Sequence, residues 1–308
     1  MIKKILLLLC LALLCASCSG ESEKQGRAAL VLGVMPSMDY LPLAVAQREG
    51  YFKEAGLELE LIRFHSANER DAAFQSGNID GTVIDYTGAV LQKSGGLDLK
   101  LASRCDAPFY LLGRPGGPRG AEELKGARLA VSRNTVIDYL ADMALQSAGL
   151  ESGDVEKVEI NKIPLRFEML MAGKIDGTGL PDPLALIAQN QGANLLCTNR
   201  DLGLAITGIM FSAQAVRDKK DQIRKMYAAY NRGVEYLRSH GPEEIKDILI
   251  GQMNFREELI PLAVLPEYGP AAQPSLEDLQ SVSAWLAGRN LVPVDFAVET
   301  LLDGSLLP

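Results

Sequence analysis

The sequence predicts an α/β fold of two similar lobes that face each other across a ligand cleft. One phrase occurs twice, first as Gly77-Asn78-Ile79-Asp80-Gly81-Thr82 and, 96 positions later (173 − 77), as Gly173-Lys174-Ile175-Asp176-Gly177-Thr178. Each copy follows an apolar helical segment that ends in a small residue and glycine, and each copy opens a short strand. A matching Ala-Gly-Leu precedes each copy, at 55–57 and 148–150. We therefore expect one architecture to occur twice.

Strands and helices alternate through the first copy. The apolar positions have the helical period in the helices and alternate in the strand 57–64. In order, the predicted elements are a strand at 29–34, a helix at 41–52, strands at 57–64 and 81–84 with a helix at 69–76 between them, a helix from 87 to 92 and a strand at 100–102. This order predicts a mostly parallel sheet with helices on both faces.

The second copy has the same order. After a glycine- and proline-rich loop at 113–120, strands are predicted at 127–131, 155–160 and 177–180, with helices at 135–148, 164–172 and 182–190, and 192–198 closes the set. From about Thr207 the chain returns to the first lobe and becomes helical, with helices at 218–239, 242–252, 275–287 and 295–302. Ser275 and Asp278 resemble a capping box for the third of these helices.

These elements define the predicted domain boundaries. Residues 28–107 form the first part of lobe I, 108–204 form lobe II with the hinge crossings, and 205–308 form the helical second part of lobe I. Because the chain crosses between the lobes twice, the two crossing strands form a hinge.

The start of the chain has the pattern of a bacterial lipoprotein signal peptide, which we place at residues 1–17. A basic start precedes an apolar run that is shorter than the roughly 20 residues needed to span a bilayer. Cleavage before Cys18 would allow diacylation, with palmitate as an expected acyl chain, and 18–27 would be a tether. Cleavage before Cys15 would place bulky Leu14 where a small residue is needed. An unlipidated signal peptide is the alternative. We expect an exported protein, lipid-anchored to the membrane and facing the periplasm or the exterior.

Composition limits the partners. The formal net charge is −8, and it becomes −10 without Lys3 and Lys4 of the signal, which argues against nucleic acid or an anionic membrane surface as a partner. Beyond the lipoprotein start, the cysteines are Cys105 and Cys197. They could pair in an oxidising compartment, but they fall in opposite lobes, where a bridge would restrain closure, so we expect free, buried thiols. We expect no cofactor and no metal site, and we expect the protein to be a monomer.

Several segments resemble one family of transport proteins. They are the run from Pro42 through Gly50-Tyr51-Phe52, then Gly56-Leu57-Glu58-Leu59-Glu60-Leu61, the Gly-x-Ile-Asp-Gly phrase, and Leu124-Lys125-Gly126-Ala127-Arg128-Leu129-Ala130-Val131 before a turn with serine. Together these segments resemble the ABC-importer solute-binding proteins that serve nitrate, sulfonates, taurine and the pyrimidine precursor of thiamine, over about residues 28–200. The resemblance implies the two-lobed periplasmic-binding-protein (type II) fold. The thiamine-precursor branch of the family has an Asp-Trp-x-Pro-Asn phrase after its first strand, whereas this chain has Met35-Pro36-Ser37-Met38-Asp39-Tyr40. The ligand of that branch is therefore not carried over to this chain.

The ligand site is expected at the carboxyl ends of the parallel strands, where open α/β sheets bind ligands. The candidates in the first lobe are Ser37, Asp39, Tyr40, His65, Ser66, Asp85 and Tyr86, and those in the second lobe are Ser132, Arg133, Asn134, Thr135 and Asp182. The turn 132–135 precedes a helix whose free N–H groups could hold an anion. Ser66, Asn134, Thr135 and Asp85 could instead be helix caps, and we assign Asp80 and Asp176 of the repeated phrase to structure.

The predicted ligand is a small polar organic molecule with a cationic or hydrogen-donating part. Asp39, Asp85 and Asp182 would meet an amine or ring N–H, and the aromatic rings of Tyr40, Tyr86 and Phe109 could stack on a flat ring. An aminosulfonate or a pyrimidine-like vitamin precursor has this character. The expected function is capture of this ligand by domain closure and presentation to ABC permease and ATPase subunits. The alternatives are a periplasmic enzyme of the thiamine-pyrimidine-synthesis class and a ligand-sensing receptor subunit, although no catalytic nucleophile and base are paired in the sequence.

Overall fold

The architecture is given by a computed structural model that describes residues 29–308. The predicted signal peptide, the tether and the lipidation site Cys18 lie outside the described residues.

The first sheet contains five strands in the order β2-β1-β3-β10-β4. Its strands are β1 (Leu30–Val34), β2 (Leu59–Arg63), β3 (Gly81–Asp85), β4 (Leu99–Arg104) and β10 (Thr207–Ser212). Strand β1 pairs in parallel with β2 and with β3, whereas β10 is antiparallel to both β3 and β4. Four strands therefore point the same way and β10 runs against them.

The second sheet repeats this topology in the order β7-β6-β8-β5-β9. Its strands are β5 (Phe109–Gly113), β6 (Arg128–Val131), β7 (Glu156–Glu159), β8 (Gly177–Pro181) and β9 (Asn194–Thr198). Here β5 is the antiparallel strand, between β8 and β9. The chain passes between the sheets from β4 to β5 and from β9 to β10, and each crossing supplies the antiparallel strand of the sheet it enters. The predicted α/β fold with mostly parallel sheets is confirmed.

The helices cover the faces of both sheets. Beside the first sheet are α1 (Leu41–Arg48), α2 (Tyr51–Glu54), α3 (Ala67–Gln75) and α4 (Tyr86–Ser94); beside the second are α5 (Val136–Ser147), α6 (Ile163–Met171) and α7 (Leu184–Asn190); the last segment contains α8 (Ala213–Asp218), α9 (Lys220–Ser239), α10 (Lys246–Gly251) and α11 (Leu276–Ala287).

Three helix predictions differ in detail from the structure. The helix predicted at 41–52 is divided at Gly50, whose φ of 76° lies in the left-handed region. The segment 242–252 begins with a 3₁₀ turn, Pro242–Ile245, before α10. The segment 295–302 forms only the 3₁₀ turn Val298–Leu301.

The repeated phrase is explained by two hydrogen bonds that occur once in each sheet. A carboxylate oxygen of Asp80 accepts from Val31 N at 2.8 Å, and one of Asp176 accepts from Arg128 N at 2.9 Å. Next along the chain, the hydroxyl of Thr82 donates to Gly33 O at 2.9 Å, and that of Thr178 donates to Ala130 O at 2.8 Å.

Both aspartates therefore fasten the start of a strand to its parallel neighbour. Each aspartate also forms an ion pair. Asp80 pairs with Lys219, which follows α8, and Asp176 pairs with Arg114, which follows β5. The structural assignment of these two carboxylates is confirmed.

Helix α11 packs against helices of both sheets. Its residues Leu279, Val282 and Leu286 share one apolar cluster with Val90 of α4 and Leu140 of α5. The expectation that 205–308 belongs to lobe I stays a prediction, and in the structure this helix also joins the second sheet. Cys105 and Cys197 are both free thiols, as expected; Cys105 is buried, whereas Cys197 is only partly buried.

Candidate functional site

A cavity lies between the two sheets, at the carboxyl ends of their parallel strands. Its polar and charged lining consists of Ser37, Asp39, Arg70, Asp85, Ser132, Thr135, Asn161, Arg166 and Thr207; its apolar lining includes Met35, Val83, Ile84, Phe109, Val136, Ile137 and Ile163. The cavity has a volume of about 60 Å³. The two sheets are therefore drawn closely together around it.

Asp39 is a buried carboxyl on the first-sheet side of the cavity. It follows β1 within the 3₁₀ turn Met38–Tyr40, and Ser37 caps that turn by accepting from Asp39 N. The hydroxyl of Thr207, on the crossing strand β10, donates to Asp39 Oδ1 at 3.2 Å. Burial raises the pKa of Asp39 to about 7, against the lowering effect of the Thr207 hydrogen bond. This carboxyl can therefore accept a ligand N–H or, when protonated, donate to a ligand oxygen.

The raised pKa of Asp39 predicts a specific pH dependence of stability. A carboxyl with a raised pKa binds more protons in the folded than in the unfolded chain between its two pKa values, here 3.8 and about 7. The free energy of unfolding of the ligand-free protein should therefore fall by roughly 2 kcal/mol as the pH rises from about 5 to about 6.5, relative to Asp39→Asn. Chemical denaturation at each pH measures this difference. Asp218→Asn, which removes an exposed carboxylate, is the control and should follow the wild type; parallel curves for wild type and Asp39→Asn would contradict the assignment.

Asp85 joins the two sides of the cavity. At the end of β3, one carboxylate oxygen accepts from Arg70 Nη2 at 3.0 Å, and the other accepts from Thr87 Oγ1 at 2.6 Å and from Val136 N at 3.0 Å. Val136 is the first residue of α5, beside the second sheet. Burial alone would raise the pKa of Asp85, but Arg70 and the Thr87 hydroxyl outweigh it, so the pKa lies below its usual value.

This contact changes the expected role of the turn 132–135. Instead of being open to a ligand anion, the amino terminus of α5 already receives the carboxylate of Asp85. Ser132 Oγ donates to Asn161 Oδ1 at 2.9 Å, and Thr135 Oγ1 donates to Ser132 O at 2.7 Å. Asn134 has a φ of 60°, its N–H donates to Asp138, and its side chain borders a neighbouring polar cleft rather than the cavity.

Arg133 also lies away from the cavity. Its side chain is more than half exposed and pairs with Glu159 at 3.4 Å on the surface of the second sheet. Like Asn134, it borders the neighbouring cleft, whereas Thr135 borders both spaces. The structure thus brings only Ser132 and Thr135 of the four turn residues to the cavity.

The two tyrosine candidates are not brought to the cavity. Tyr40 is buried in the apolar core that α1 and α9 share with the first sheet, and its hydroxyl donates to Gln252 O at 2.9 Å. Tyr86, the first residue of α4, is fully buried in the apolar cluster shared by α4, α5 and α11. Phe109, which opens β5, is the aromatic side chain in the cavity lining.

The remaining candidates have other surroundings. Ser66 is the amino-terminal cap of α3 and accepts from Glu69 N at 3.3 Å, which is the alternative the sequence left open. His65 is exposed and lines a small pocket at the edge of the cleft. Asp182 is buried, but it accepts from Tyr110 Oη and from Leu186 N, and burial raises its pKa to about 6.

Two arginines, an asparagine and a threonine of the polar lining were not predicted as site residues from the sequence. The threonine is Thr207, the first residue of β10. Arg70 lies on α3 and Arg166 on α6, the helices that follow β2 and β7, and Asn161 lies just before α6. The signal that could have found the arginines is their spacing, which equals that of the repeated phrase (166 − 70 = 96).

A family model described as "NMT1/THI5 like" matches residues 37–245, about two thirds of the sequence and nearly the whole of the cavity lining. The chain belongs to the NMT1/THI5-like family. A curated relative, the riboflavin-binding protein RibY of Chloroflexus aurantiacus, is 22% identical over 229 residues, which cover 71% of this chain and 64% of that protein. The chain thus spans slightly less than two thirds of this relative's length.

Solved structures confirm the periplasmic-binding-protein fold for this family member. The ligand-binding component of an ABC-type import system from Staphylococcus aureus, solved with zinc bound, superposes with a TM-score of 0.77 at 15% identity, over 90% of this chain and 97% of that one. The periplasmic aliphatic sulphonate binding protein SsuA from Escherichia coli gives a TM-score of 0.73 at 18% identity, over 89% and 92%. Because the sequence identities to these two proteins are only 15% and 18%, the structural similarity establishes the fold alone.

Between residues 29 and 308, no cluster of three or more His, Cys, Asp or Glu side chains is placed to hold a metal ion. In the same part of the chain, no helix combines the length and the apolar character that a membrane span needs.

Proposed function

We propose that this chain is the extracytoplasmic solute-binding component of an ABC importer, and that it captures a small polar organic ligand by domain closure. The observation that carries this proposal is the cavity between the two sheets, lined by Asp39 and Arg70 from one side and by Ser132 and Arg166 from the other. A ligand that contacts both sides favours the arrangement in which they are close, because its extra contacts exist only there.

The hinge follows from the topology. The two passages, β4 to β5 and β9 to β10, are short segments at the same end of the sheets, and the crossing strand β10 contributes Thr207 to the cavity. Closure about these segments brings Asp85 to the amino terminus of α5. The hydrogen bond from Val136 N to Asp85 is therefore a contact of the closed form, and opening would expose both groups to water.

The cavity favours an organic ligand over a bare oxyanion. About half of its lining is apolar, with Val83, Phe109 and Ile137 among the contributors. Of the three carboxylates expected to meet a cationic or hydrogen-donating group, Asp85 is already paired with Arg70 and bonded to Val136 N, and Asp182 does not line the cavity. Asp39 lines the cavity without a cationic partner and accepts a hydrogen bond from the Thr207 hydroxyl, so it remains for this role. Of the three aromatic residues expected to stack on the ligand, Phe109 is the one that lines the cavity, where it offers a flat apolar surface.

The cellular setting belongs to the same proposal. Residues 1–17 would direct export, Cys18 would carry the lipid, and 18–27 would let the folded body reach a permease that works with an ATPase subunit. The family membership and the fold support export and a permease partner. Radiolabelled palmitate incorporation into wild type, and its loss in Cys18→Ala, would test the anchor.

Ligand binding and closure can be tested together. The full chain is produced in a host that exports it, and unfolding is followed by differential scanning fluorimetry with taurine, ethanesulfonate, a hydroxymethylpyrimidine, riboflavin, nitrate and sulfate. A ligand at 100 times its Kd should stabilise the protein by about 2.7 kcal/mol. The same compound should lower the radius of gyration in small-angle X-ray scattering. Stabilisation by nitrate or sulfate alone would contradict the organic ligand class, and turnover of a bound compound would favour the enzyme alternative.

A further inference from the structure

Two arginines occupy equivalent places in the two halves of the molecule. Arg70 on α3 and Arg166 on α6 are separated by the 96 positions that separate the repeated phrases, and the two helices, at 67–75 and 163–171, coincide under the same shift. Both side chains are buried, and both line the cavity, Arg70 from the first sheet and Arg166 from the second. The internal repeat therefore places one guanidinium on each side of the ligand space.

The two arginines differ in their counter-charges. Arg70 is paired with Asp71 at 2.8 Å and with Asp85 at 3.0 Å. The equivalent positions in the second half hold Phe167 and Pro181, neither of which carries a charge. The substitution of these two carboxylates by apolar residues leaves the second arginine without the partners of the first.

Arg166 is buried without an anionic partner. Its Nη1 donates to Ile160 O at 2.9 Å and to Asn161 O at 3.5 Å, and its buried Nε has no hydrogen-bond partner. Within residues 29–308, no carboxylate forms an ion pair with it. Burial lowers the pKa of Arg166 to about 10, which still leaves the guanidinium charged near neutral pH.

A buried, unpaired charge of this kind costs several kcal/mol in a protein interior, and it is normally compensated by a partner of opposite charge. Asp39, across the cavity, forms neither a hydrogen bond nor an ion pair with Arg166. The other place in the cavity suited to an anion, the amino terminus of α5, is filled by Asp85. The compensation that remains is a negative charge brought by the ligand.

We propose that Arg166 receives the anionic group of the ligand, and that the ligand is a small organic acid with a carboxylate, sulfonate or phosphate group. This inference rests on the proposed function as a solute-binding protein. The fork of the guanidinium suits the paired oxygens of these groups. Ser132 and Asn161 add polar atoms on the side of the second sheet, Asp39 adds a carboxyl on the side of the first sheet, and Phe109 adds an aromatic ring to the lining.

The test compares Arg166→Gln with the wild type and with a matched control. Arg114→Gln removes a guanidinium that pairs with Asp176 in the second sheet, outside the cavity lining. Small molecules are released by denaturing each purified full-length protein and are identified by mass spectrometry. Affinities for taurine, ethanesulfonate and butyrate, and for the uncharged or cationic analogues ethanol and ethanolamine, are measured by calorimetry.

We expect an acid to accompany wild type and Arg114→Gln and to be lost from Arg166→Gln. The affinity for acidic probes should fall about 100-fold in Arg166→Gln, as for loss of a charged hydrogen bond in a closed site. If this variant does not fold, Arg166→Lys, which keeps the charge without the fork, should still show a reduction of at least about tenfold.

Three outcomes would overturn the inference. The first is a released ligand that has no anionic group, and the second is equal retention of an acid by wild type and Arg166→Gln. Both leave the solute-binding function intact while removing Arg166 from ligand recognition. The third is a protein that releases no small molecule and binds none of the probes, which would remove the proposed function together with this inference.

Discussion

Asp85→Ala is expected to weaken ligand binding by one to two orders of magnitude and to lower the free energy of unfolding by about 3 kcal/mol. The first effect follows because the carboxylate accepts a hydrogen bond from Val136 N across the cavity, and this bond is available only when the two sides are together. The second follows because Arg70 is buried beside Asp85 and would retain only Asp71 as a counter-charge.

The two effects of Asp85→Ala can be separated. Calorimetry with the ligand released from the native protein gives the affinity, and urea denaturation of the ligand-free protein gives the stability. Thr87→Val is a graded comparison, since it removes one hydrogen bond to Asp85 and keeps the ion pair, and it should cost only about 1 kcal/mol.

A matched control is available on the surface. Asp98→Asn removes a carboxylate that is mostly exposed and paired with Lys93 at 3.1 Å. Exposed ion pairs of this kind contribute less than about 1 kcal/mol, so affinity and stability should both stay close to wild type. Wild-type affinity in Asp85→Ala would show that closure does not depend on this carboxylate, and wild-type stability would show that Asp71 alone compensates Arg70.

The fold was predictable because its signals are local and occur twice. Alternation and helical periodicity located most strands and helices, and the repeated phrase, with its Asp and Thr anchoring a strand to its neighbour, indicated two similar sheets. The place of β10 inside the first sheet was not predicted. Its segment, 207–212, was recognised only as the point of return, because pairing with β3 and β4 is a contact over more than a hundred residues.

The candidate site was predictable only in part. Of the residues selected by the rule that ligands lie at the carboxyl ends of strands, Ser37, Asp39, Asp85, Ser132 and Thr135 line the cavity. The rule failed for Tyr40 and Tyr86, because the turn or helix that begins at the strand end directs these side chains into the apolar cores.

The sequence pattern did not indicate Arg166 as a site residue, for a physical reason. A charged residue on an amphipathic helix ordinarily faces solvent, and only the shared spacing with Arg70 sets it apart. The occupation of the α5 terminus by Asp85 could not be read from the sequence either, since it joins residues from the two halves of the fold.

Asp138→Ala is expected to lower the free energy of unfolding by about 3 to 5 kcal/mol. Asp138 is fully buried on α5, where it pairs with Lys157 of β7 at 2.5 Å and with Arg289, just after α11, at 3.1 Å. Its removal leaves two cations facing a single remaining carboxylate, Asp142. Urea denaturation measures the change.

The same variant should loosen the attachment of α11 to the second sheet. Trp285 Nε1 donates to Asp142 at 2.9 Å, and the Trp285 ring packs edge-on against Tyr139, with centroids 5.3 Å apart. Since this packing depends on the position of Asp142, amide hydrogens of α11 should exchange faster in Asp138→Ala. Burial raises the pKa of Asp142, but Lys157 and Arg289 hold it below its usual value. Its contribution to stability is therefore present above about pH 4 and is lost as the pH falls further.

An exposed ion pair provides the comparison that decides the interpretation. Glu54→Gln breaks the contact with Arg232 at 2.7 Å, where both side chains are about half exposed, and it should change stability by less than about 1 kcal/mol. If Asp138→Ala were as mild as Glu54→Gln, Asp142 alone would suffice for both cations. If stability fell while α11 kept its protection, the network would stabilise the packing of α5 on β7 rather than the attachment of α11 to the second sheet.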